Sequence, residues 1–133
     1  MWSVAYAHTG EEAGGAKIRQ ALLVARDGLT PDFICKQGWV MTAFGNAFHR
    51  LWREQDFAEA LVETVMAGGD TDTNAAICGA LLGAAYGRDA IPLAWRSRVL
   101  ACRAVREEGV VHPRPAAFWA DDAMELAEAL LAC

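Results

Sequence analysis

The 133 residues carry 12 Lys and Arg against 17 Asp and Glu, a formal net charge of -5, and 54% of them are apolar. That balance excludes sequence-independent nucleic-acid binding, which needs clustered cations to displace counterions, and the apolar fraction excludes a disordered chain and suffices for one folded core. The four cysteines, Cys35, Cys78, Cys102 and Cys133, show neither CxxC spacing nor a histidine at ligand spacing, so a zinc site lacks support and reduced, small, buried thiols are expected.

Met1 to Ala7 lacks a basic segment and is too short for a secretory apolar region, and no run approaches the roughly 18 apolar residues of a membrane span. A cytoplasmic protein without a membrane anchor is therefore expected. The Gly14-Gly15 pair precedes an amphipathic segment, Ala16 to Arg26, with Ile18, Leu22 and Ala25 on one face, and Gly28 is a natural stop. Thr30-Pro31-Asp32 resembles a cap followed by proline, opening a short turn or helix through Cys35. Trp39 to Trp52 is apolar around much of its circumference and predicts a largely buried helix.

Asp56 predicts the cap of a helix over Phe57 to Met66, where Phe57, Leu61 and Val65 recur at i+4 and Glu59 and Glu63 mark the wet face. A further helix runs from Asn74 to Tyr86, with Ala75, Gly79, Gly83 and Gly87 on one smooth stripe. Glycine in a helix interior costs about 0.5–1 kcal/mol relative to alanine, so close packing or space for a ligand must offset it. Pro92 opens a helix over 93–105, prolines break 110–115, and an acidic helix runs from about Ala120 to Leu131. The expected fold is all-α, a single domain over residues 1–133.

Between two of these helices lies Gly68-Gly69-Asp70-Thr71-Asp72-Thr73-Asn74, two carboxylates and two hydroxyls after a pair of glycines. In a regular helix, side chains two residues apart point roughly 200° apart. Asp70 and Asp72 can therefore meet at one ion only if Asp70 sits in the turn ahead of the helix. Two readings stand side by side. Asp and Thr are favoured at a helix N-terminus, and hard divalent cations prefer carboxylate and hydroxyl oxygens. Asn74 suits either, as a first-turn amide or as a bridge to the site.

The string GGDTDTNAAICGALLGAAYG closely resembles the C-terminal metal-binding signature of the ADP-ribosylglycohydrolase family, which includes the hydrolases that reactivate ADP-ribosylated dinitrogenase reductase. The resemblance extends over Gly38 to Arg103, through GWVMTAFGNAFHRL, DFAEALVETVMAGGDTDT and YGRDAIPLAWRSRVL. It implies an all-α fold, two divalent ions, Mg²⁺ or Mn²⁺, and hydrolysis of the glycosidic bond linking ADP-ribose to a protein side chain or a small conjugate. By the same resemblance Asp70, Asp72 and Thr73 match metal ligands, with Asp70 and Asp72 also handling protons. Gly68 and Gly69 would let the loop approach the ligand, and Trp39 falls near the part of the cleft that contacts adenosine.

The family's other ligands lie in an N-terminal Thr-Asp-Asp motif that these 133 residues do not contain. Asp121-Asp122 follows alanine, at the opposite end, and reads as a helix N-terminus. The expectation is thus one side of a two-metal site, with impaired activity by the chain alone. The alternatives are a non-catalytic helical homo-oligomer, an ADP-ribose or metal-binding module, and a chain completed by a partner. His49, on an apolar helix, reads as a packed histidine, and the tryptophans read as core or interface residues.

Overall fold

The computed structural model describes residues 12–28, 32–106 and 110–132. Among them lie six α-helices: α1 (Glu12–Arg26), α2 (Val40–Trp52), α3 (Phe57–Met66), α4 (Thr71–Tyr86), α5 (Leu93–Leu100) and α6 (Ala123–Leu131). Two 3-10 turns, Arg88–Ala90 and Ala116–Phe118, complete the elements, and no strand occurs among the described residues, so the fold is all-α. None of the described helices is long and apolar enough to cross a membrane. The chain divides into two compact units, Met1–Ala90 and Ile91–Cys133.

In the first unit α4 packs against both α2 and α3, and α2 also packs against α1. α1 starts earlier than the Gly14-Gly15 pair suggests and runs through it, with Gly15 buried. Packing there outweighs the weak helix propensity of glycine. The helix ends before Gly28, whose φ of +81° carries the chain away. His49 of α2 faces back to this end, its Nδ1 2.9 Å from the Ala25 carbonyl. A carbonyl only accepts, so Nδ1 carries the hydrogen and the histidine acts as a structural tie.

α2 is less buried than its apolar circumference suggests. Thr42, Ala43, Asn46 and Ala47 are buried, whereas Val40 and Trp52 at its ends, and Trp39 just ahead of it, are more than half exposed. α3 begins where Asp56 predicts, with Oδ1 accepting from the N–H groups of Ala58 at 2.9 Å and Glu59 at 3.2 Å. Its buried stripe, however, is Phe57, Ala60 and Thr64, while Val65 is exposed. The cause is that Thr64 is satisfied inside: its hydroxyl donates to the Ala60 carbonyl at 2.8 Å and accepts from Asn46 Nδ2 at 2.9 Å.

This pair continues outward. Asn46 Oδ1 accepts from Arg50 Nε at 3.3 Å, and Arg50 reaches Gln55 at 3.0 Å and pairs with Glu63. The Gln55 amide, helped by the Arg50 charge, holds the Glu63 carboxyl below its ordinary value. A polar chain thus fixes α2 against α3 while small side chains let the helices approach. Along α4, a Cβ on Gly79 would stand 3.5 Å from Leu61 and 3.8 Å from Phe57, ordinary contact rather than a clash. Cys78 is wholly buried, and burial pushes its thiol pKa up, but Cys35 and Cys102 are exposed, against the expectation of buried thiols.

In the second unit α5 stops at Leu100 rather than running on to 105. Arg103 ends it by folding back, with Nη1 donating to the Leu100 and Cys102 carbonyls at 2.9 and 3.0 Å. The same guanidinium lies over the Trp119 ring and pairs with Asp121 at 3.1 Å. α6 leaves all its residues exposed, including Leu126 and Leu130.

Thr64→Val keeps the shape of the core but removes the acceptor for the buried Asn46 amide. Urea unfolding should show a loss of about 1–3 kcal/mol, the cost of a buried unsatisfied donor.

Candidate functional site

The acidic stretch forms a turn between α3 and α4. Gly68 and Gly69 have φ of +82° and +70°, in the left-handed region that side chains resist. Gly69 has a second reason to be glycine: a Cβ there would lie 1.9 Å from the Phe33 carbonyl oxygen. A Cβ on Gly68 would lie 3.1 Å from the Ile34 side chain. The turn is therefore seated directly on the backbone of residues 32–38.

That segment is itself stiffened from within. Asp32 Oδ1 accepts from the N–H groups of Cys35 at 2.8 Å and Ile34 at 3.2 Å, and the Cys35 bond leads in holding the carboxyl pKa below its ordinary value. Lys36 N–H donates to the Asp32 carbonyl at 3.2 Å, and the Lys36 carbonyl accepts from Trp39 N at 3.1 Å and from Thr42 Oγ1 at 3.2 Å. Thr30 and Pro31, expected to cap this segment, lie outside the described residues, and Asp32 supplies the cap.

Asp70 occupies the N-cap position of α4, ahead of the helix, which meets the geometric condition for its meeting Asp72. Its side chain makes no capping bond. Asp56 at the equivalent place on α3 makes two, so the position alone does not account for Asp70. Asp72 lies in the first turn, exposed, with Oδ1 accepting from Thr73 N at 2.9 Å. Hydrogen bonding to the Asp70 side chain, then to the Thr73 N–H, holds the Asp72 carboxyl below its ordinary range. Two neighbouring carboxyls either share a proton or repel, and among the described residues neither Asp70 nor Asp72 is in an ion pair with a basic side chain.

The donor types fit a hard divalent cation, which would relieve that repulsion. Two carboxylates and the exposed Thr73 hydroxyl are the donors this turn offers. Among the described residues, no three His, Cys, Asp or Glu side chains gather to hold a metal ion. Asn74 follows, buried, and its Nδ2 has no hydrogen-bond partner among the described residues.

Trp39 does not join the acidic turn. It is 51% exposed and lines a cleft of about 440 Å³, together with Lys17, Gln20 and Met41 and with Asp32 and Lys36 of the segment beneath Gly69. Lys36 Nζ stands 5.0 Å from the centroid of the Trp39 ring. The sequence reading overlooked Lys17, Gln20 and Lys36, and the one signal for them was a lysine three residues ahead of an indole that opens a helix. A larger groove of about 620 Å³ is floored by Leu22, Phe48, Leu51 and Trp52 and includes none of the predicted site residues. Asp121 and Asp122 belong to the second unit, where Asp122 stands at the N-cap of α6.

The described residues define an all-α protein, and the comparisons say which family of such proteins it belongs to. The model of the ADP-ribosylglycohydrolase family matches residues 1–132, and the chain belongs to that family. A protein of Acanthamoeba polyphaga mimivirus, provisionally named an ADP-ribosyl glycohydrolase, is 50% identical over 54 residues, which are 41% of this chain and 16% of that protein. The ADP-ribosyl-[dinitrogen reductase] glycohydrolase of Rhodospirillum rubrum is 36% identical over 61 residues, 46% of this chain and 21% of the relative. An uncharacterized protein of Archaeoglobus fulgidus is 53% identical over 38 residues, 29% of this chain and 12% of the relative. The chain thus matches only about a fifth or less of the length of these relatives. No solved structure matches it.

Gly38 and Gly69 separate the two demands on the glycine pair. Gly38 has φ of +75° with nothing within 4 Å of a built Cβ, whereas Gly69 meets a carbonyl. Gly38→Ala should cost about 1–2 kcal/mol from backbone strain alone. Gly69→Ala should cost more than about 4 kcal/mol, because backbone must move. Thermal unfolding of the two variants measures the difference.

Proposed function

We propose that the acidic turn is one side of a divalent-metal site serving hydrolysis of the glycosidic bond between ADP-ribose and a protein side chain or small conjugate. The observation that carries this reading is Asp70: it stands at a cap position without capping, beside a second carboxylate in the first turn. In this reading Asp70, Asp72 and Thr73 would hold Mg²⁺ or Mn²⁺ through their oxygens. The bound cation would supply Lewis-acid polarisation and orientation of the ribose hydroxyls.

The chain's own residues divide the remaining work. Asp72, held ionised by its hydrogen bonds, suits ligation more than proton transfer, since a carboxylate of low pKa is a weak base. Asp70, whose oxygens no backbone N–H engages as a cap, takes the proton of the attacking water. The water oxygen bonds to the ribose anomeric carbon as the bond to the side chain breaks, and Asp70 passes the proton it took to the leaving group. Gly68 and Gly69 let the turn sit close against the 32–38 segment, and Trp39 offers an indole face for the adenine.

Three oxygen donors leave most of two six-coordinate shells to water or to other residues, so these 133 residues alone should turn over slowly. The expected outcome is Mn²⁺-dependent release of ADP-ribose from ADP-ribosyl-arginine that is weak for the chain by itself. Asp70→Asn should lower that rate by roughly 10²-fold or more, the usual share of a positioned acid-base group. A rate unaffected by Asp70→Asn, or insensitive to EDTA, would contradict the reading.

A second reading is favoured by α6, an amphipathic helix with Leu126, Leu130 and Leu131 all more than half exposed. A helix this short is marginal in water without a packing partner. It suits a homo-oligomer or a complementing chain, which could also bring the missing ligands. Sedimentation across a concentration series, paired with the hydrolysis assay, should then show activity rising with association.

A further inference from the structure

The groove floored by Leu22 of α1 and by Phe48, Leu51 and Trp52 of α2 takes no part in the acidic turn or in the cleft beside Trp39. Its apolar area is left in water: Leu23 and Trp52 are 44% and 53% exposed. Arg19, Leu22, Leu23 and Arg26 stand at i, i+3, i+4 and i+7, one face of α1, so two guanidiniums bracket two leucines along one wall. Among the described residues Arg19 is in no ion pair, and Arg26 has only Asp27, 3.0 Å away and equally exposed. An exposed pair of that kind contributes little in water, so Arg26 can exchange it. Glu54, just past the end of α2, is the one carboxylate among the described residues that line the groove. The groove thus offers an apolar floor with a basic wall.

α6 has the complementary chemistry. All nine of its residues are exposed, and it carries two glutamates and no basic residue. Ala123, Leu126, Ala127 and Leu130 repeat the i, i+3, i+4, i+7 spacing on one apolar face. Glu128 borders that face beside Leu131, and Glu125 lies one turn before Glu128. Arg19 and Arg26 are roughly 10 Å apart along α1, and α6 extends roughly 13 Å, so the helix spans the basic wall from end to end. We infer that the α6 helix of a second copy of this chain seats in the groove between α1 and α2, with its leucines on the apolar floor and its glutamates against Arg19 and Arg26. This rests on the association reading of α6 and adds the surface that receives it. Each copy carries one helix and one groove, so reciprocal exchange closes the contact as a two-fold dimer. A single helix this short covers less than the roughly 800 Å² per partner of a standard interface, and the reciprocal seat doubles what it covers.

The test is sedimentation velocity of the 133-residue chain over a concentration series, with charge reversals at exposed positions and circular dichroism of each variant to check its helicity. Arg19→Glu with Arg26→Glu should weaken self-association by roughly tenfold or more, because like charges then face each other. Glu125→Lys with Glu128→Lys should do the same. Mixing the two variants should restore association, since the acidic groove of one then receives the basic helix of the other and the unaltered groove and helix also match. Recovery on mixing arises only between copies. Leu130→Asp should abolish association by itself. Reversals that leave association unchanged, or a mixture as weak as its components, would overturn the inference. Association lost in Leu130→Asp yet undiminished in Arg19→Glu with Arg26→Glu would overturn the seat and leave the association of α6 standing, whereas a wild type that stays monomeric throughout would overturn both.

Discussion

The first unit depends on one close approach, the backbone of Gly69 against the carbonyl of Phe33. A Cβ on Gly69 would stand 1.9 Å from that oxygen, so the acidic turn meets the 32–38 segment there main chain to main chain. Main-chain contact is stiffer than contact between side chains, which can change rotamer. Because the same segment carries Lys36 and leads into Trp39, the register that sets the acidic turn also sets one wall of the cleft. The acidic turn and the cleft therefore share a foundation.

Around that contact, the helices are held by small residues and by a buried polar chain. Asn46 and Thr64 join α2 to α3 at 2.9 Å, and α4 packs against both. A hydrogen bond inside a core of alanine, glycine and cysteine is costly to break and directional, so it fixes the rotation of each helix as well as its distance. α3 ends at Met66 and α4 starts at Thr71, and their fixed crossing leaves the turn between them little freedom. Exposure elsewhere is of a different kind: the apolar residues of α6 lie bare, as on a surface made to be covered.

Much of this was legible in the residues. Asp56 ahead of an apolar run marked the start of α3, Gly28 marked the end of α1, and the spacing of Asp70 and Asp72 let them meet only if Asp70 stood ahead of the helix, as it does. The buried stripe of α3 was misread because Thr64 looks like a surface residue until Asn46, distant in sequence, offers it a partner. The Gly-Gly pair announced a close approach but not its partner, since Phe33 belongs to another part of the chain. α5 ended early through a fold-back of Arg103, which no local propensity encodes. Lys17 and Lys36 acquire meaning only when the fold places α1 beside the segment ahead of α2.

The central claim is that Asp70 and Asp72 form a cation site and are not merely the start of a helix. Titration of Mn²⁺ into the chain, followed by the loss of the free-ion electron paramagnetic resonance signal, tests it most directly. Saturable binding that disappears in Asp70→Ala and Asp72→Ala, with helicity unchanged by circular dichroism, is the predicted result. Mn²⁺ uptake that is equal in all three proteins, or absent from the wild type, would contradict it and return the turn to the role of a helix cap.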